Sequence, residues 1–286
     1  MARKRQDTEF TATLASGRQA TADFDGPYVT LLVDGTPQSE INLEDPADLS
    51  FGYIRHMGHV LDLAFPKRQA LTALHLGAGA LTIPRFLEHT RPGSRQQVIE
   101  LERDLIEFVR EVAPLPQHAS IRIRYGDARE QLARLPRGLV GKVDALVVDV
   151  FAGAQTPAHV TSLEFFTELE SFLAPAGVLL VNISDGHDLA FARGEVATIR
   201  EAIGPTHLIS DPAVFKGRRF GNIVAVATRE HREFPGLARL AASGFPPATV
   251  HSDAQTFQWL RGASAVRDAD ATPSPTPASS LFTRRS

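Results

Sequence analysis

The sequence predicts an α/β protein: a doubly wound sheet, parallel except for an antiparallel last strand, preceded by a small N-terminal antiparallel β domain. Three observations predict it. From residue 70 to 228, short apolar runs alternate with amphipathic stretches of helical period, and such alternation implies βαβ crossovers that force neighbouring strands to run parallel. From residue 8 to 43, apolar and polar residues alternate around Ser16-Gly17 and Asp34-Gly35, as in short antiparallel strands joined by tight turns. Several of the later apolar runs end on glycine or a carboxylate, at the strand ends where a doubly wound sheet binds its ligand.

In order, FTATLA, QATADF, YVTLLVDG and SEINL read as the strands of the β unit. A helical stretch, YIRHMGHVLDLA, follows from Tyr53 and ends before Pro66, since proline lacks the N–H a helix interior requires. Strand–helix pairs come next: ALTALHL with TIPRFLEH, RQQVIEL with RDLIEFVREV, SIRIRYGD with AREQLARL, and VDALVVDV with SLEFFTELESFL. GVLLVNIS with EVATIREAI continues the series, and THLIS and NIVAVAT close it. The last two strands are joined too closely for a crossover, so they pair antiparallel. Beyond Glu230 the pattern fades, and DADATPSPTPASSLFTRRS has the Pro/Ser/Thr bias of a tail with too little apolar surface to fold alone. The expected organisation is a β domain at 1–52, a Rossmann-like nucleoside-binding domain at 53–230, and a C-terminal extension at 231–286 that becomes a disordered tail from about 266.

Composition narrows the function. The absence of cysteine removes disulfides, thiolate zinc sites and cysteine nucleophiles together. A net charge of −3 gives no general attraction to nucleic acid. No apolar run reaches the ~18 residues of a membrane helix, and no apolar stretch follows the basic start MARKRQ to make a signal peptide, so a cytoplasmic protein is expected.

The chemistry sits at the strand ends. Gly77 and Gly79, two apart in LGAGA, allow a sharp turn that brings amides to a ligand at a helix N-terminus, although a tight structural turn explains them equally well. Glu100 ends the next strand, 21 residues after Gly79, where an acid can accept both hydrogen bonds of a ribose diol; Glu102 competes for that role. Asp127, in YGDA, can accept from an adenine amino group or cap the following helix, and both can hold. A glycine turn and two acids on three consecutive strands together point to an adenosyl ligand. Asp149 ends the strand after these, before the uncharged loop Val150-Phe151-Ala152.

With these residues in view, the chain from about 28 to 228 resembles the spermidine synthase, or polyamine aminopropyltransferase, branch of the S-adenosylmethionine-dependent methyltransferase fold. LLVDGTPQSEI is similar to that family's strand pair with an aspartate-glycine turn and a glutamine, here Gln38; FGYIRHMGHV resembles its Tyr-His-Glu-Met-type segment, with Tyr53 and His59 in register and Arg55 where an acid is usual. GAGA stands at the family's Gly-Gly-Gly-Asp-Gly-Gly, with Ala80 at the aspartate position; VIELERDLI places Glu100 on the ribose, and YGDA places Asp127 and Ala128 on the adenine side. Asp149 falls on the first aspartate of the Asp-Ser-Ser-Asp-Pro motif, which in the family helps deprotonate the attacking amine; Ala152 replaces the second.

The resemblance implies transfer of an aminopropyl group from decarboxylated S-adenosylmethionine to an amine such as putrescine, without a metal, by a homodimer. Asp149 would be the catalytic acid-base group and Tyr53 would add a hydroxyl, its alternative role being packing. Asp185, in NISDGHD, is a candidate replacement for the missing acid, with a turn aspartate as the equal alternative. His59 would face the acceptor. A methyltransferase using S-adenosylmethionine on a small molecule and a non-catalytic nucleoside-binding homologue are the other readings. His56 with His59 lacks a third metal ligand, His75 reads as a core histidine, and Ser184, Asp185 and His187 lack a nucleophile elbow.

Overall fold

Alternation of buried and exposed side chains generates the first sheet. Phe10–Thr13 (β1), Gln19–Asp25 (β2), Tyr28–Val33 (β3) and Thr36–Asn42 (β4) pair antiparallel in the order β1-β2-β3-β4. Val29, Leu31 and Val33 are buried and the residues between them partly exposed, the period of two that sends successive side chains to opposite faces. Asp34 and Gly35 both have positive φ, 49° and 74°, as a two-residue turn matching strand twist demands. The computed structural model that shows this describes residues 10–277; the arginines of MARKRQ and LFTRRS lie outside the described residues.

Gly52–Ala64 (α1) leads into the second sheet. Thr72–Leu76 (β5), Thr82–Thr90 (α2), Arg95–Glu100 (β6), Arg103–Val112 (α3), Ile121–Tyr125 (β7) and Ala128–Leu132 (α4) alternate as the periodicity predicts. Val143–Val148 (β8), Leu163–Glu170 (α5), Leu173–Asp185 (β9), Ala190–Ala202 (α6), Thr206–Ser210 (β10), Pro212–Phe215 (α7) and Gly221–Ala227 (β11) continue it. In β8, Leu146 and Val148 pack with Phe165, Phe166 and Ile199, while Ala145 and Val147 pack with Met57, Leu61 and Phe86. Burial on both faces explains why this strand reads as an unbroken apolar run. Helices therefore cover both sides, and α3 closes a third core with the apolar face of the small sheet through Ile106, Val109, Leu31 and Val29.

The chain beyond Glu230 contributes more order than its sequence suggests. Leu237–Ser243 (α8), Thr249–His251 (β12) and Asp253–Trp259 (α9) follow, and β12 adds an edge strand antiparallel to β10. The sheet order is β12-β10-β11-β9-β8-β5-β6-β7. Strands β5 to β9 are mutually parallel, and β11 runs antiparallel to both β9 and β10. A second difference concerns the expected tail: over 266–277 it lies against the protein. Arg129 donates to both carboxylate oxygens of Asp268 at 2.7 and 2.9 Å, and Ser274 and Thr156 exchange two bonds, Thr156 N to Ser274 Oγ at 2.8 Å and Ser274 N to Thr156 O at 3.0 Å. Polar pairing holds this stretch where its composition supplies no apolar face. No helix of the described residues is long and apolar enough to cross a membrane.

Candidate active site

The strand order reverses at β5, which has β6 on one side and β8 on the other, and the loops leaving a doubly wound sheet diverge at such a point to leave a crevice. Leu76 and Val148 are register partners, so Gly77 and Asp149 leave the sheet side by side, and the Asp149 amide donates to the Leu76 carbonyl at 2.8 Å. A Cβ on Gly77, whose φ is 85°, would lie 2.1 Å from the Asp149 carbonyl oxygen. Glycine is therefore required there by both backbone angle and contact.

Glu100 ends β6 beside this turn. Its Oε2 accepts from the Ala78 amide at 2.9 Å and its Oε1 from the Glu102 amide at 2.9 Å. A carboxylate has about four acceptor positions, so a fixed, oriented acid with remaining capacity results, as a diol would need. Burial raises its pKa, while those amides pull in the opposite direction. Glu102 pairs instead with Arg18 at 3.2 Å, which separates the two candidates.

Asp127 does cap a helix: its Oδ1 accepts from the amides of Arg129 at 2.9 Å and Glu130 at 3.1 Å at the start of α4, with Ala128 buried behind it. Its Oδ2 lies 2.7 Å from His159 Nε2. Burial alone would raise its pKa, but the Glu130 amide and His159 outweigh that and hold it below the usual carboxylate range.

Asp149 is gripped by two neutral donors. The Tyr53 hydroxyl, from α1, donates to Oδ2 at 3.1 Å, and the Asn182 amide, from β9, donates to Oδ1 at 2.8 Å. Burial pushes the Asp149 pKa up against those two bonds, and it raises the Tyr53 phenol well above its ordinary value, with the Asp149 charge adding to it. Tyr53 and Asn182 in turn line a cavity of about 510 Å³ together with Gln38, His56, Phe151 and Phe220. Asp149 thus stands between the glycine turn and this cavity. A carboxylate so placed can attract an ammonium and accept its proton.

Two expected site residues lie elsewhere. Asp185 is fully buried and accepts from the amides of Gly186 at 2.6 Å and Ala192 at 2.8 Å; it ties the turn after β9 to the first turn of α6 and does not line the cavity, which corrects its expected role as a replacement acid in favour of the turn aspartate that was the equal alternative. His59 lines a separate polar depression with Tyr28, Asp48 and Asp62. His56, three residues earlier and so about 60° short of a full turn back, reaches the cavity instead. His75 is a core residue bonded to Gln96 at 3.0 Å, its pKa lowered to about 4 by burial. Sequence reasoning missed Asn182, for which the signal was an amide inside the apolar run VLLVNIS. It also missed His159 and the pair Asp211 and Arg219, which no local pattern marks.

A mostly parallel sheet with a glycine turn at the switch point and acids on the neighbouring strand ends defines a methyltransferase-type Rossmann protein. No family model matches the chain. The polyamine aminopropyltransferase of Vibrio vulnificus is 29% identical over 143 residues, 49% of this chain and 46% of the relative. That of Chromobacterium violaceum is 29% identical over 149 residues, 51% and 54%. The chain spans about half the length of the curated relatives it matches. Among solved structures, a probable spermidine synthase from Corynebacterium glutamicum matches with a TM-score of 0.82 and 29% identity over 90% of this chain and 95% of the other. Spermidine synthase from Thermotoga maritima, at 14% identity and a TM-score of 0.53 over 80% and 82%, shares the fold. The chain is spermidine synthase-like.

Proposed function

We propose that the chain transfers an aminopropyl group from decarboxylated S-adenosylmethionine to a small primary amine. The observation that carries this reading is Asp149, held by Tyr53 and Asn182 between the glycine turn and the cavity. Glu100 would accept from the ribose hydroxyls, Asp127 and the adjoining Ala128 would face the adenine, and Gln38 would contact the same nucleoside co-substrate from the cavity wall. The turn at Gly77 and Gly79 would admit the nucleoside. The same reading includes a cytoplasmic homodimer.

A primary amine is mostly ammonium near neutral pH. Asp149 draws it in and takes one proton, freeing the lone pair. The nitrogen then attacks the methylene carbon beside the sulfonium; the new C–N bond forms as the C–S bond breaks, and the bonding pair goes to sulfur, which leaves neutral in methylthioadenosine. The secondary ammonium so formed carries the remaining positive charge. Burial keeps Asp149 basic enough for the transfer, and Tyr53 and Asn182 fix its direction.

The test is methylthioadenosine release from decarboxylated S-adenosylmethionine with and without an amine. Amine-dependent release is expected, with Asp149→Asn lowering kcat by roughly 10²–10⁴-fold, the usual worth of a positioned acid-base group, and leaving methylthioadenosine binding intact. Equal release by the variant would remove Asp149 from the chemistry.

A further inference from the structure

The cavity beside Asp149 has a charge pattern that a diamine does not fit. Among the described residues lining it, Asp211 is the one carboxylate and Arg219 the one guanidinium. These two pair with each other, Arg219 Nη2 donating to Asp211 Oδ2 at 2.8 Å, while Asp211 Oδ1 accepts from the Ala213 amide at 2.6 Å. The lining's charges therefore cancel. His56 adds none at neutral pH, because burial and the neighbouring His59 and Arg55 lower its pKa to about 4.

Polar groups in the wall are also engaged among themselves. Ser184 Oγ donates to Asn222 Oδ1 at 3.2 Å, Ser210 Oγ to the Asn222 carbonyl at 2.6 Å, and the Gln38 amide to the Thr36 carbonyl at 3.3 Å. Two neutral polar atoms in the wall, Asn182 Oδ1 and His56 Nδ1, have no hydrogen-bond partner among the described residues; neither carries a charge, and the other large side chains that face the space, Phe51, Phe151, Phe220, Val214 and Pro246, are apolar. Asp149, behind Tyr53 and Asn182, supplies one negative charge for one ammonium. A second ammonium at the far end of the acceptor would lose its water against aromatic rings with no free carboxylate to replace it, and an unpaired charge is the costliest group to bury.

We propose that the acceptor is a primary amine with an uncharged, apolar far end, and that the Arg219–Asp211 pair is what excludes diamines. This rests on the aminopropyl-transfer reading for its chemistry, but the pocket's preference can be measured without turnover. The pair acts by neutralisation: Arg219 occupies the Asp211 oxygen that would otherwise face an incoming cation. Removing the guanidinium exposes a carboxylate that is already oriented by the Ala213 amide.

The experiment compares matched amines of equal length, n-butylamine with putrescine and n-pentylamine with cadaverine. Calorimetric binding is measured in the presence of methylthioadenosine, and methylthioadenosine release from decarboxylated S-adenosylmethionine is followed in parallel. In the unaltered protein each monoamine is expected to bind, and to be used, at least about tenfold better than its diamine, a modest demand for discrimination against an unpaired buried charge. Arg219→Gln, at a half-exposed side chain, is expected to shift that ratio toward the diamines by about tenfold. Phe151→Asp, in a partly exposed loop, should shift it the same way if Arg219→Gln is poorly folded. A diamine preference in the unaltered protein, a ratio unmoved in both folded variants, or binding of neither amine class would overturn the proposal. Monoamine binding without any methylthioadenosine release would leave the pocket's preference standing and reject the transfer chemistry.

Discussion

Asp149 answers to three forces that can be separated. Burial raises its pKa, and the bonds from Asn182 and Tyr53 lower it. The acid limb of kcat/KM, where the carboxylate loses its capacity to accept a proton, is therefore expected above the ordinary aspartate range. Activity should be present at pH above that limb and lost as the pH falls through it. Tyr53→Phe removes one of the two lowering bonds, so the limb should move further up while the maximal rate at high pH changes less. A pH–rate profile of both proteins checks this, and a limb that stays put or moves down would contradict it. The same residue shows what a sequence can disclose: an acid at the end of an apolar strand was legible as a strand-end group, whereas Asn182, arriving from β9, is visible as a partner only once the strands are side by side.

At the scale of elements, α6 carries a cost that the fold accepts. Glu195 on this helix is 2% exposed, and its Oε2 has no hydrogen-bond partner among the described residues. Burial raises its pKa well above the usual value, and the charge of Asp185 adds to the effect. A carboxyl with a raised folded pKa contributes stability that is fully present below its unfolded value of about 4.3 and is lost as the pH rises through the folded value. Thermal unfolding from pH 4 to 8 should therefore show the wild type losing stability relative to Glu195→Gln with rising pH. A difference of about 1–3 kcal/mol is expected at the upper end, the range for an uncompensated buried polar group. Parallel curves for the two proteins would refute it. Asp185, read from sequence as either a site acid or a turn residue, belongs to the second kind, because the amide of Gly186 in the turn and that of Ala192 in the first turn of α6 claim one oxygen each.

Across the whole molecule, the parallel half of the sheet was legible because periodicity and strand-end residues agree from β5 to β9. The order beyond Glu230 was not. A three-residue strand such as β12 is too short to show a period, and residues 266–277 are held by polar pairs to Arg129 and Thr156, partners more than a hundred residues away in sequence. The cavity beside Asp149 was illegible for the same reason, being assembled from α1, the loop after β8, and the ends of β9, β10 and β11. Its net charge is a property of that assembly: Arg219 is already paired with Asp211, so the described lining offers no free cation for the carboxylate of intact S-adenosylmethionine. Calorimetric titration of the purified protein with S-adenosylmethionine and with its decarboxylated form tests this account most directly. Tighter binding of the decarboxylated ligand is the expected result, and preference for the carboxylated form would contradict aminopropyl transfer and favour methyl transfer on the same fold.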